Sequence, residues 1–181
     1  MKKFFYLLTI IVFFMTNVAK ADLNEDNILY IDLKYGRVIV ELLPDIAPKH
    51  VERIKSLARE GFYDDIVFHR VIEGFMAQTG DPTGTGMGGS EQSDLRAEFS
   101  NEPHVRGTLS MARSSNLHSA NSQFFIVTDD SRFLDGQYTV FGRVIDGMEF
   151  VDQIKKGSPR NNGSVKNPDA MISVRVAADV E

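Results

Sequence analysis

The sequence predicts an antiparallel β-barrel. Three observations point there. Many short runs alternate apolar and polar residues with the two-residue period of a strand. Only two stretches carry helical spacing. Strands and helices do not alternate in the way that β-α-β units require. The chain has 181 residues, 43% of them hydrophobic, with a net charge of -5. That is enough for one globular domain with a full core. Cysteine and tryptophan are both absent. A disulfide, a thiolate metal site and a cysteine nucleophile are therefore excluded. The acidic balance argues against nucleic-acid binding.

The first 21 residues read as a separate object. Lys2 and Lys3 form a basic start, and residues 4–14 are apolar except for Thr9. Ala19-Lys20-Ala21 fits a small-x-small cleavage site. The pattern predicts a secretory signal peptide cut after Ala21, leaving a domain over 22–181. The apolar run is short of the roughly 20 residues that a spanning helix needs. Cleavage would remove three lysines and no acid, leaving 17 bases against 25 acids and a net charge of -8. Two lysines without arginine do not resemble a mitochondrial presequence, so the periplasm is the expected destination. A chain of this size can dispense with disulfides there.

Residues 28–33 and 37–42 alternate as two strands joined at Tyr35-Gly36, a hairpin. Residues 48–60 form the clearest helix. Pro48 suits its first position and Gly61 the position just beyond its end. Val51, Ile54, Leu57 and Ala58 make one apolar stripe, and Lys55 and Arg59 favour its C-terminal end. Residues 67–72 alternate again, with Phe68, Arg70 and Ile72 expected on one side. Glu73-Gly74 turns the chain. Residues 75–79 return with Met76 and Gln78 on a common face. A permanent cation on such an apolar surface calls for a partner or a task.

Gly84, Gly86 and Gly89 match the spacing G-x-G-x-x-G. No amphipathic helix follows them, so a dinucleotide site is rejected in favour of a long loop bordering a groove. Residues 107–112 and 122–128 read as strands. In the second, Gln123 and Phe125 share one face while Phe124 and Ile126 point the other way. Asp135-Gly136 precedes a strand over 138–144, a short helix over 147–154 and a closing strand over 171–178.

Taken in order, several motifs resemble the cyclophilin-type peptidyl-prolyl cis-trans isomerases. They are Phe68-His69-Arg70-Val71-Ile72, Phe75-Met76-Ala77-Gln78, Gly-Thr-Leu-Ser-Met-Ala at 107–112, Ser-Gln-Phe-Phe-Ile at 122–126, Phe133-Leu134-Asp135-Gly136 and Val140-Phe141-Gly142. They span nearly all of 28–178. The resemblance implies a closed eight-stranded antiparallel β-barrel capped by two α-helices, with a substrate groove on its outer face. It places the catalytic arginine at Arg70 and a proline pocket at Phe75, Met76, Phe125 and Leu134. Gln78 and Gln123 become polar contacts, and the backbone around Ala112 and Arg113 a rail for the peptide. Phe133 and Tyr138 join the substrate contacts. They stand where eukaryotic relatives often carry tryptophan and histidine, and Arg113 where asparagine is frequent. This looks like the exported bacterial branch, and the missing indole donor implies weak cyclosporin binding. The implied partners are proline-containing unfolded or partly folded polypeptides, handled by a monomer without cofactor, metal, nucleic acid or membrane.

The chemistry such a site must perform is rotation about a stiff bond. An X–Pro amide isomerises slowly over a barrier of roughly 18–20 kcal/mol. A donor aimed at the proline nitrogen binds the twisted amide better than either planar form, and arginine is suited to that. Two other classes compete with this reading. His69 and His118 lie in a chain that also offers Ser110, Ser114 and Ser122, but no G-x-S-x-G elbow supports hydrolysis. His69 is expected to pack behind the groove. A holdase that grips proline-containing segments without turnover uses the same surface.

Overall fold

The structure, a computed structural model, describes residues 24–180. The leader expected at 1–21 lies outside them. Eight strands form one sheet: β1 (Ile28–Leu33), β2 (Gly36–Leu42), β3 (Arg70–Ile72), β4 (Met76–Thr79), β5 (Thr108–Met111), β6 (Phe124–Val127), β7 (Val140–Asp146) and β8 (Ser173–Val176). Two helices accompany them, α1 (Pro48–Arg59) and α2 (Met148–Asp152). The strand order is β3-β4-β6-β5-β7-β2-β1-β8, and every paired neighbour is antiparallel.

The closed barrel is not what forms. The sheet is an open, curled half-barrel whose terminal strands, β3 and β8, do not pair with each other. These two strands have only three and four residues. The edge of β3 meets an irregular segment instead. Val71 N–H donates to Gly163 O at 2.8 Å, and Arg70 and Ser164 form a single bridge. Left-handed residues at Asn162, Gly163 and Asn167 bend this segment repeatedly, so no continuous ladder can run along it.

A second correction concerns residues 67–69. The regular strand begins only at Arg70, so Phe68 does not share that residue's face. Phe68 is fully buried in the main core, while Arg70 stays half-buried at the surface.

The core lies inside the curl. Leu29, Ile31, Val38, Val40, Leu109 and Ile126 supply it from the sheet, and Val51, Ile54 and Leu57 close it from α1. Pro48 starts α1 as expected, but Ala47 gives no side-chain cap. Glu98 supplies one from a distant loop, accepting from the N–H groups of Lys49 and His50 and facing the His50 ring at 2.7 Å. A carboxylate there satisfies orphan donors and complements the helix dipole.

Alternation gives the sheet a second apolar face. Ala77, Phe124 and Ile126 point into the main core. Met76, Phe125 and Val127 point outward and join Leu134, with Ile72, Phe75, Ala112 and Tyr138 packed around them.

Candidate active site

The outward face of β3, β4 and β6 carries the polar groups as well. Register sets them side by side: Arg70 opposite Gln78 and Gln78 opposite Phe125. The Arg70 guanidinium donates to Gln78 Oε1 at 3.1 Å, to Asn162 O at 3.0 Å and to Asn162 Oδ1 at 3.0 Å. Gln78 Nε2 donates in turn to Gln123 Oε1 at 2.9 Å. Gln123 Nε2 donates to the carbonyls of Gly86 and Gly88 at 3.1 and 2.8 Å. Both side-chain amides are thereby fixed in orientation, each donating at one end and accepting at the other.

No carboxylate pairs with Arg70 among the described residues. Burial draws its pKa down from the ordinary value, and Tyr138 opposes that pull. Arginine's wide margin above neutrality keeps it charged. The result is a cation held only by neutral groups.

It stands at a cavity of about 120 Å³ bounded by Arg70, Phe75, Met76, Gln78, Ala112, Arg113, Phe125, Leu134 and Tyr138. Every one of these residues is among those the resemblance implies. Phe125 and Tyr138 meet edge to face at 5.8 Å. The Arg113 guanidinium lies over the Tyr138 ring at 4.4 Å and donates to Gln137 O and Ser114 O. Two expected contacts lie outside this cavity. Gln123 lines an adjoining, wider one of about 460 Å³, walled partly by the glycine loop. Phe133 is 66% exposed and leans on Phe75 at 5.5 Å, forming a rim. The Ala112 N–H is spent on Gln123 O, so it is not available as a rail donor.

His69 is buried without a hydrogen-bond partner on either ring nitrogen, and a Cβ on Gly86 would touch its ring. Packing behind the groove is its position. Sequence reasoning missed two residues. Asn162 holds Arg70 from 92 positions away. His104, fully buried, sits between Asp135 and Ser110 and stacks behind Phe125 at 6.3 Å. The adjacent Asn161-Asn162-Gly163 is a visible turn signal; nothing in the pattern around His104 singles it out.

Residues 28–176 match the family described as cyclophilin type peptidyl-prolyl cis-trans isomerase/CLD. The chain belongs to the cyclophilin family. A probable peptidyl-prolyl cis-trans isomerase of Brucella suis is 56% identical over 169 residues, covering 87% of this cyclophilin and 86% of that protein. The crystal structure of the cyclophilin AquaCyp293 from Hirschia baltica superposes with a TM-score of 0.79 at 28% identity, covering 88% of this chain and 77% of that one. A Cryptosporidium parvum cyclophilin-type isomerase, solved in the presence of the dipeptide Ala-Pro, gives 0.75 at 30% identity over 82% and 98% of the two chains. The activity of this cyclophilin is peptidyl-prolyl cis-trans isomerisation, acting on proline-containing polypeptides.

The seat of its guanidinium has a weak point at Gly163. This glycine has φ +76°, and a Cβ there would overlap Ile72 Cγ1. Gly163→Ala is expected to destabilise the cyclophilin by about 1–3 kcal/mol and to lower kcat/KM by displacing Asn162. Thermal melts and an isomerase assay on the same preparation check this. Unchanged values in both would mean that the turn admits a side chain at 163 without displacing Asn162.

Proposed function

We propose that Arg70 is the catalytic donor and that the cavity beside it receives the proline ring. The observation that carries this reading is the charged guanidinium held by neutral groups beside a cavity that Phe75, Met76, Phe125 and Leu134 help to line. In the planar amide the nitrogen lone pair is delocalised into the carbonyl. As the bond twists, that pair returns to nitrogen and becomes an acceptor. Arg70 then gains a charged hydrogen bond that exists only near the transition state, which is the condition for lowering a barrier. Such a bond contributes about 1.5–3 kcal/mol. Phe75, Met76, Phe125, Leu134 and Tyr138 add to it by desolvating the planar amide, the more polar form. Gln78 keeps the guanidinium fork in place, and Gln123 and the Ala112–Arg113 backbone contact the peptide. The Ala-Pro dipeptide named with the Cryptosporidium relative supports an X–Pro ligand.

The enzyme works in the periplasm on exported proteins that are still folding. The basic start, apolar run and Ala19-Lys20-Ala21 of the leader support this. A monomer suffices for this chemistry, because Arg70 and every residue lining its cavity lie in one chain. No helix among the described residues is long and apolar enough to cross a membrane. Tyr138 and the exposed Phe133 offer no indole donor, so cyclosporin binds weakly.

Cell fractionation with mass measurement of the purified chain tests the export reading. The expected result is a periplasmic species beginning at Asp22; an uncleaved cytoplasmic chain overturns it. Refolding of an exported protein limited by proline isomerisation tests the role in folding. The slow phase should accelerate with wild type and lose that acceleration with Arg70→Ala. Suppressed aggregation with an unaltered slow phase would indicate a holdase instead.

A further inference from the structure

The geometry points to His104 as a positioning residue for the proline pocket, held in a buried Asp135–His104–Ser110 relay whose proton state is felt at the pocket floor. This rests on the assignment of the Arg70 cavity as the substrate site. His104 Nδ1 lies 3.1 Å from Asp135 Oδ1, and Nε2 lies 3.0 Å from Ser110 Oγ. The same carboxylate accepts from the His104 backbone N–H at 2.8 Å and from Arg132 Nε. Those contacts hold the Asp135 carboxyl at about 2, so it remains an acceptor at any working pH.

Proton bookkeeping then fixes the rest. Nδ1 must carry hydrogen, because a carboxylate can only accept. With neutral imidazole, Nε2 is an acceptor and the Ser110 hydroxyl must donate to it. With imidazolium, Nε2–H donates to Ser110 Oγ, and the hydroxyl hydrogen turns to Thr139 O, 3.0 Å away. Thr139 O already accepts from Met111 N–H at 3.0 Å, so it is satisfied in both states. The relay can therefore take up a proton without leaving a buried polar group unpaired.

The arrangement matches a Ser-His-Asp hydrolase in connectivity alone. Both Ser110 and His104 have 0% exposure, so the hydroxyl cannot reach a substrate. What the imidazole does touch is the back of the pocket. It stacks on Phe125 at 6.3 Å and 21° and meets Tyr138 edge-on at 6.5 Å. Charged and titratable groups facing it are Asp135 and Arg132 from the 131–135 turn and Tyr138 beyond it. Its β5 and β6 neighbours, Ser110 and Phe125, do not titrate. Burial lowers the His104 pKa from the ordinary imidazole value, with Asp135 opposing, so the imidazole is neutral at pH 7 and takes up its proton only on acidification. Charging it places an ion directly behind an apolar floor and disfavours seating a proline ring over that floor. The effect falls on KM, since the relay does not touch the guanidinium.

The test is KM and kcat for an X–Pro peptide from pH 5 to 8, measured by NMR exchange without a coupling protease. Wild type should show KM rising severalfold on the acid side of this range, with kcat nearly constant. His104→Gln should abolish that step and raise KM at pH 7.5 by about tenfold. Ser110→Ala should move the step to lower pH, because the imidazolium loses an acceptor. A flat wild-type profile overturns the proposal, as does a step that persists in His104→Gln or stays at the same pH in Ser110→Ala. Phe125→Ala is measured alongside. An unchanged KM there would mean that the pocket itself is misassigned, whereas a raised KM with a flat wild-type profile overturns the relay alone.

Discussion

Replacing Arg70 with alanine is expected to lower kcat/KM by about 10- to 150-fold. That range is one charged hydrogen bond expressed as a rate. The loss should fall mainly on kcat, because the bond to the proline nitrogen exists only while the amide is twisted. KM should change little, since the ring still seats on Phe125, Met76 and Leu134. Arg70→Lys should rescue poorly. Three groups on Gln78 and Asn162 hold the guanidinium fork, and an ammonium cannot meet them while also reaching the cavity. Stability should barely move. Removing a half-buried cation relieves its desolvation, which offsets the lost neutral hydrogen bonds. The checking measurement is kcat and KM on an X–Pro peptide, together with a thermal melt. Wild-type turnover in a folded Arg70→Ala chain would remove Arg70 from the mechanism.

The route from sequence to this site was legible where short-range periodicity governs. Alternation placed Gln123 and Phe125 opposite Phe124 and Ile126, and the structure keeps that division. Pro48 located the start of α1. Legibility ended where an outcome depends on distant segments. Whether β3 and β8 meet is decided by the irregular segment between them, which takes the edge of β3, and alternation says nothing about that. The 67–72 pattern continued through Phe68 only on paper, because the local chain leaves the sheet before Arg70. Asn162 supports Arg70 from a left-handed turn whose own sequence announces a bend and no target. His104 acquires meaning only beside Ser110 and Phe125. The glycine loop lines the wider cavity beside Gln123. Its deeper role, offering the carbonyls of Gly86 and Gly88 to Gln123, depends on a fold that spacing does not reveal.

That loop owes its shape to one carboxylate, and this gives the largest expected effect on stability. Asp81 is nearly fully buried. It accepts from the N–H groups of Thr83, Thr85, Gly86 and Gly88 and from the Thr83 hydroxyl, at 2.6–3.1 Å. Asp81→Ala leaves these donors without their acceptor. A loss of about 3 kcal/mol is expected, or roughly 6–12 °C in Tm for a chain of this size. Activity should fall as well, because Gly86 and Gly88 anchor Gln123, which orients Gln78, which holds Arg70. The same carboxylate gives a pH signature. Burial alone would raise its pKa, but the donors from Thr83, Gly88 and Gly86 outweigh that and hold it at about 2. An unfolded aspartate titrates near 3.9. The folded value is the lower one, so Asp81 stabilises the protein above about pH 4 and loses that contribution as pH falls toward 2. The shift corresponds to about 2.6 kcal/mol. Urea unfolding at pH 7, 4 and 2.5 should show wild type losing more stability over this span than Asp81→Asn, which cannot titrate there. Parallel curves for the two chains would mean that the loop is held by something other than this carboxylate.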